Sequence, residues 1–337
     1  MLPKVLSWRE QAEPLPVEDG RPDGKVSDLE PPVDTPKRRK DDRRGIALAL
    51  GGGAARGWAH IGVIRALDEA NVPISMIAGT SIGALVGGCY LAGKLDELEH
   101  FARSLTRRGM FRFLDFQMGG SGLIRGMRLS NRLTQSLEGF KVESLSKPFI
   151  AVATDARSGH EIWIDSGPLV LAMRASYALP GVFEPVDCAG RRLLDGALVN
   201  PVPANVCRTM EERLVVAVNL HHDLYGRAAV VRLAACEDRD DAPSEQVDRR
   251  NREMAARREN FGVIRSMVDA FNIIQDRISR SRLAGDPPDL TVSPRVRDIG
   301  LSEFHRAGEA IEIGYEAATA RISEIRQIAE EVASLRG

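Results

Sequence analysis

The stretch Ile77-Ala78-Gly79-Thr80-Ser81-Ile82-Gly83-Ala84-Leu85 decides how this chain reads: an apolar run is interrupted by Gly-x-Ser-x-Gly and resumes with helical spacing. A serine between glycines at a strand-to-helix junction predicts a sharp turn that holds its hydroxyl clear of the backbone at the start of a helix. Gly79 and Gly83 lack the Cβ that would clash where the two backbones approach, and either tolerates positive φ. The same letters also describe a plain Gly/Ser loop. Ser81 as a nucleophile therefore needs a base and an anion-stabilising site from elsewhere in the chain.

Upstream, residues 46–50 form a short apolar run of the kind that makes a buried strand, and it leads into Gly51-Gly52-Gly53-Ala54-Ala55-Arg56-Gly57. From Trp58 the pattern turns helical, with Ile61, Ile64, Ala66 and Leu67 on one side. Strand, glycine loop and helix together make an anion-binding geometry, because the free N–H groups of the first helical turn point at the loop. A phosphate-binding P-loop would need Gly-Lys-Ser/Thr where this chain has Arg56-Gly57-Trp58, and a dinucleotide fingerprint would need glycine at position 56. The next strand, over 74–78, ends at the serine turn rather than at a ribose-binding acid. Neither nucleotide reading survives well, and a nucleotide-dependent enzyme stays a distant third.

Downstream, helices are expected over 84–92 and 96–106, and residues 109–128 show no clean period and suit either a lid near the site or an ordinary connection. A short helix over 129–137 precedes two strands, 148–155 and 161–165, joined as a hairpin by the turn 156–160. A helix over 169–178 stops at Pro180-Gly181, a short strand carries Asp195-Gly196-Ala197, and 213–220 reads as a strand buried on both faces. Charge density rises over 223–259, an expected exposed excursion. A helix over 260–283, a strand over 289–293 and a long amphipathic helix over 302–335, in one or two pieces, complete the chain. Alternating short strands and helices predict an α/β fold with three α/β/α layers and a mostly parallel central sheet, forming one domain over 45–337.

Composition narrows the function classes. With 337 residues, 43% hydrophobic and 28% charged, the chain has the make-up of a soluble globular protein. A formal net charge of −1 gives no global attraction to nucleic acid or anionic membrane. Cys89, Cys188, Cys207 and Cys236 are scattered without a Cys-x-x-Cys pair, which argues for free thiols and against a zinc site or disulfide framework. No secretory h-region and no spanning apolar segment is present, so a cytoplasmic protein is expected, at most lying on a membrane. Residues 1–44 hold seven of the eighteen prolines with ten acidic and ten basic residues, a composition that predicts disorder. The basic end of that segment, 36–44, is either a solvated linker or a weak contact for anionic headgroups, worth up to ~1 kcal/mol per Lys or Arg.

A serine hydroxyl attacks well only when a nearby base takes its proton. His60 and His305 are expected inside helices, His100 likewise, and His160 in an exposed turn. His221 and His222 alone follow a buried strand, where a base or metal ligand would sit. Asp195 is the stronger candidate: it ends a strand, and a parallel sheet would bring it to the same edge as Ser81. A carboxylate is a weaker base than imidazole, so the oxyanion must be well stabilised. The N–H groups of Gly52, Gly53 and Ala54, aided by that of Ile82, suit this task, and one such donor is typically worth ~2.7–4 kcal/mol in the transition state.

These three motifs, in this order and with Asp195-Gly196-Ala197 lying 114 residues beyond the serine, resemble the patatin-like phospholipases, most nearly their bacterial branch related to neuropathy target esterase. Ala175-Ser-Tyr-Ala-Leu-Pro180-Gly-Val-Phe-Glu-Pro185 and Glu303-Phe-His-Arg-Ala-Gly-Glu-Ala-Ile-Glu-Ile-Gly-Tyr315 extend the likeness over about residues 45–335. The resemblance implies a Ser81–Asp195 dyad without histidine and without cofactor or metal. It implies an oxyanion loop of Gly52, Gly53, Ala54 and Arg56, and hydrolysis of fatty-acyl esters in phospholipids or lysophospholipids through an acyl-enzyme. Plant members carry glycine where this chain has Ala54. A second reading, from a different class, is a non-hydrolytic lipid-binding or regulatory protein that keeps the fold. Head-group preference and oligomeric state are not encoded in these motifs.

Overall fold

The computed structural model describes residues 45–106, 136–210, 214–224 and 263–334. The segment expected to be disordered over 1–44, the candidate lid over 109–128, and all but the ends of the helix over 129–137 and of the excursion over 223–259 fall outside these residues. In chain order the first half holds β1 (Ile46–Leu50), α1 (Ala59–Glu69), β2 (Ile74–Thr80), α2 (Ile82–Leu91), α3 (Leu95–Ser104), β3 (Phe149–Asp155) and β4 (Glu161–Ile164). The second half holds α4 (Leu169–Ser176), β5 (Val186–Cys188), β6 (Arg191–Asp195), α5 (Ala204–Thr209), β7 (Val215–Val218), α6 (Val263–Gly285), β8 (Leu290–Val292), α7 (Ala307–Thr319) and α8 (Ile322–Ser334). β5 and α5 carry no clear period and are not predicted from the sequence; the long C-terminal helix is two helices.

Strand side chains alternate between the two faces of the sheet. In β1, Ile46, Leu48 and Leu50 enter one apolar cluster, whereas Ala47 and Ala49 enter another. β7 divides in the same way, Val216 and Val218 on the first face and Val215 and Ala217 on the second. The first face is covered by α1, α2 and α7, which contribute Ile61, Leu85 and Ile311. The second takes Val206 and Cys207 of α5, with Leu283 of α6 packed against it. Covering both faces is what a parallel sheet requires, since each of its strands is apolar on both sides. α2 is apolar around its whole circumference and nearly every residue of it is buried, the signature of a helix inside the core rather than on it.

β3, β2, β1, β7 and β8 are parallel in that spatial order, as the alternation of elements predicts. The departure is β6, which runs antiparallel to β3. A strand has only two edges, and this decides where β6 lies. Ala151 and Val152 of β3 pair with both β2 and β4, so those two strands flank β3 on opposite edges. Ala153 and Thr154 pair with both β4 and β6, so β6 shares the β2 edge. β2 therefore ends opposite Val152, β6 ends opposite Ala153, and the two meet end to end. The sequence reading expects a parallel β6; five residues of strand pattern carry no information about direction.

Where α1 and α7 cross, glycines let their backbones touch. A Cβ on Gly62 would stand 1.8 Å from Ile311 O, and one on Gly314 would stand 2.0 Å from Ala59 O. Gly62→Ala is expected to lower unfolding free energy by about 1–3 kcal/mol, the usual cost of overpacking a tight contact. Gly285→Ala should be neutral or stabilising, because a Cβ there meets nothing within 4 Å among the described residues. Urea unfolding of both variants checks the pair: equal midpoints would show that the α1–α7 seam is not tight.

Candidate active site

Ser81 joins β2 to α2 with φ 56° and ψ −123°, a conformation that costs a non-glycine residue about 1–3 kcal/mol. Its neighbours explain how the turn is closed. A Cβ on Gly79 would lie 2.5 Å from Ala84 Cα, and one on Gly83 would lie 2.2 Å from Leu50 O. The end of β2, the first turn of α2 and the end of β1 are thus in backbone contact, and only glycine fits at either position. Ser81 occupies the N-cap position of α2, yet its side chain does not cap. Instead Ser81 Oγ donates to Asp195 Oδ2 at 2.7 Å. The Ser81 N–H donates to Ser176 Oγ at 2.9 Å, and that hydroxyl donates to Val152 O at 2.6 Å. Ser176 falls in the Ala175–Pro185 stretch but is given no role from sequence; its local signal is a small hydroxyl at the end of the predicted helix.

Asp195 is buried at the end of β6. Its Oδ1 accepts the Ala197 N–H at 2.8 Å, which leaves Oδ2 facing the serine. The backbone around it is also held: Asp195 N–H donates to Ala178 O at 2.9 Å, and Thr154 Oγ1 donates to Asp195 O at 2.8 Å. Gly196 has no alternative, since a Cβ there would stand 2.2 Å from Val152 O. Burial pushes the Asp195 carboxyl up to about 7, against the downward pull of the Ala197 N–H and the Ser81 hydroxyl.

The glycine loop lies beside this pair. A Cβ on Gly52 would be 3.2 Å from Ala197 Cβ and 3.6 Å from Ser81 Cβ. The Gly52 N–H, expected among the oxyanion donors, is already spent on Pro201 O at 2.9 Å. Among the described residues the N–H groups of Gly53, Ala54 and Ile82 make no hydrogen bond. Ala54 has φ 48°, the left-handed region that glycine favours, so alanine here keeps a glycine-like backbone. Arg56 is buried and serves as a strut: its Nε donates to Ile299 O at 2.7 Å and its Nη1 to Asn272 Oδ1 at 3.3 Å, tying the loop to α6.

Among the described residues no histidine hydrogen-bonds the serine hydroxyl. His221 is buried with Nε2 2.6 Å from Gln275 Oε1, and His60 is buried with Nε2 2.7 Å from Gly51 O. Burial lowers both to about 4, so both are neutral near pH 7. His100, His160 and His222 are exposed. His305 lies in a short 3-10 turn, Phe304–Arg306, ahead of α7 rather than inside the last helix. Among the described residues no three His, Cys, Asp or Glu side chains are grouped to hold a metal. No described helix is long and apolar enough to cross a membrane.

The patatin-like phospholipase family profile matches residues 48–208, the span from β1 to α5 that contains Ser81, Asp195 and the glycine loop. An uncharacterized NTE family protein of Mycobacterium tuberculosis is 34% identical over 324 residues, covering 81% of this chain and 90% of that protein. Patatin-like phospholipase domain-containing protein 6 of Mus musculus is 32% identical over 182 residues, 52% of this chain and 13% of that protein. Among solved structures, VipD from Legionella pneumophila aligns with a TM-score of 0.49 and 14% identity, over 83% of this chain and 67% of that chain.

A buried carboxyl raised to about 7 has a defined effect on stability. The folded state holds this proton more tightly than the unfolded chain, so the contribution is complete below the unfolded carboxyl range near 4 and is lost as pH rises through about 7. Asp195→Asn, which carries no charge at any pH, should therefore melt above the parent, with a gap that widens from pH 5 to pH 8. Melting temperatures of both proteins across that range measure it; a constant gap would mean that Asp195 ionises in the fold as it does in the unfolded chain.

Proposed function

The chain belongs to the patatin-like phospholipase family, lipid acyl hydrolases in general, and on that premise we propose that it cleaves fatty-acyl esters of phospholipids or lysophospholipids with Ser81 as nucleophile and Asp195 as its base. The observation that carries this reading is the 2.7 Å hydrogen bond from Ser81 Oγ to Asp195 Oδ2. With Oδ1 held by the Ala197 N–H, the carboxylate turns one oxygen to the hydroxyl it must deprotonate. A carboxyl near pKa 7 is a better base than an ordinary carboxylate and remains largely ionised in mildly alkaline solution.

In this reading Ser81 Oγ attacks the ester carbonyl carbon as its proton passes to Asp195 Oδ2. The carbonyl oxygen takes the negative charge and is held by the N–H groups of Gly53 and Ala54 with that of Ile82. Collapse of the adduct breaks the bond to the leaving alcohol, which takes the proton from Asp195 and departs as lysolipid or glycerophospho-alcohol. Water then attacks the acyl-Ser81 ester, giving its proton to Asp195. The second collapse frees the fatty acid and returns the proton to Ser81 Oγ. Gly52, Gly79, Gly83 and Gly196 contribute by having no side chain, and Arg56 by anchoring the loop to α6. Free, buried Cys89 accords with a reducing, cytoplasmic location, with lipid taken from a membrane surface or as lysolipid from solution.

Ser81→Ala and Asp195→Asn are each expected to lower hydrolysis of lysophospholipid and short p-nitrophenyl esters by at least about 10³-fold. Parent-like turnover in either variant rejects the dyad. For the parent, kcat/KM should rise with pH and level off above an apparent pKa near 7, since only the carboxylate form of Asp195 accepts the serine proton. A profile flat from pH 5 to 8 would remove Asp195 as the titrating base.

A further inference from the structure

Resting on the acyl-transfer reading above, we propose that His60 is a positioning residue for the oxyanion site, locking the Gly51–Gly52 peptide so that the Gly53 and Ala54 N–H groups beyond it hold their orientation. Three consecutive glycines have the widest backbone freedom of any tripeptide, so the loop's shape must be imposed from outside. The Gly51 carbonyl and the Gly52 N–H are the two ends of one planar, trans peptide unit and point in opposite directions. Both ends are caught. His60 Nε2 lies 2.7 Å from Gly51 O, and the Gly52 N–H donates to Pro201 O at 2.9 Å. Two bonds at opposite ends of one plane stop it turning about its Cα–Cα axis; either alone would leave it hinged. The next fixed backbone point is the Ala55 N–H, which donates to Leu301 O at 3.1 Å. The unspent donors of Gly53 and Ala54 lie between these two anchors.

The chemistry of the ring agrees with this role. His60 is fully buried on α1, and burial keeps it neutral near pH 7, so it carries one N–H. A carbonyl oxygen only accepts, which puts that proton on Nε2. Nδ1 is then a bare acceptor, and it is buried with no partner among the described residues. As a space-filler in an apolar face the ring is a poor choice, because one nitrogen goes unsatisfied. Its one ring hydrogen bond among the described residues is the one to the loop. The same Gly51 oxygen lies 2.8 Å from where a Cβ on Gly83 would stand, so the locked peptide also abuts the first turn of α2, the helix that Ser81 begins.

The test compares the full-length parent with His60→Met, which fills similar space without a donor, and His60→Gln, whose amide N–H has a similar reach. Steady-state kinetics on a short p-nitrophenyl ester and the rate of Ser81 labelling by a fluorophosphonate are read beside thermal melting. His60→Met is expected to lose about 10- to 100-fold in kcat, the scale of a misplaced reacting group, with KM within about threefold and labelling slowed in parallel. His60→Gln should recover most of that loss. A kcat for His60→Met within about threefold of the parent, or a His60→Gln no better than His60→Met, overturns the proposal. A further readout does not depend on either variant folding: ¹⁵N-histidine NMR of the parent should show the His60 ring protonated at Nε2, and an Nδ1–H tautomer would exclude the bond to Gly51 O. A parent that neither hydrolyses esters nor takes the fluorophosphonate overturns the acyl-transfer reading and this inference with it. A labelled parent with an equally labelled His60→Met overturns only the role of His60.

Discussion

Two strands share one edge of β3, and the candidate site exists because they meet there head to head. β2 delivers Ser81 and β6 delivers Asp195 to the same point from opposite directions. The junction breaks the sheet's hydrogen-bond ladder, and buried backbone groups left open in this way are costly. Hydroxyls repair much of the break: Ser176 donates to Val152 O, Thr154 to Asp195 O and Thr80 to Asn200 O. The Ser81 N–H, which has no strand to pair with, donates in turn to Ser176 Oγ. The polar residues around the site therefore serve the backbone first, and their geometry holds the serine and the aspartate in register.

Several unfavourable terms are concentrated in this small volume. Ser81 has a strained backbone and forgoes its capping bond to α2. Asp195 is a buried carboxylate with no cationic partner at hydrogen-bond distance among the described residues, and burial dominates its shift. The N–H groups of Gly53, Ala54 and Ile82 make no hydrogen bond among the described residues. Each of these is a liability in the resting protein and, in the proposed reaction, becomes useful when a carbonyl oxygen gains charge nearby. Strain of this kind persists only where the surroundings over-determine it. Here they do so through the tightly packed backbones at Gly79, Gly83 and Gly196 and through the Arg56 strut to α6.

The lipid-hydrolase reading thus draws on two independent kinds of support. Family membership supplies the class of chemistry, through the match over residues 48–208 and the bacterial relatives aligned along most of their length. The arrangement of Ser81, Asp195 and the loop supplies an assignment of roles that the relatives' names do not contain. α6 ties together segments that lie far apart in sequence, since Asn272 reaches Arg56 of the glycine loop and Gln275 reaches His221 after β7, each across more than fifty residues.

The amino-acid sequence by itself determined the layers, the parallel strands, read at 46–50, 74–78 and 213–220, and the turn at Ser81, because each is written in local periodicity or in glycine spacing. It also brought Asp195 forward as a candidate, through an acid followed by glycine at the end of a short apolar run. Tertiary structure alone decided the direction of β6, since five residues of strand look the same in either orientation. It decided that the Gly52 N–H is spent on Pro201 O, that Arg56 points to α6, and that Ser176 supports the Ser81 backbone. The same holds for the touching glycines of α1 and α7 and for His60 beneath the loop. The reason is physical: hydrogen-bond partners and close backbone approaches depend on which segments meet in space, and here the decisive meetings join residues 95 and 114 positions apart.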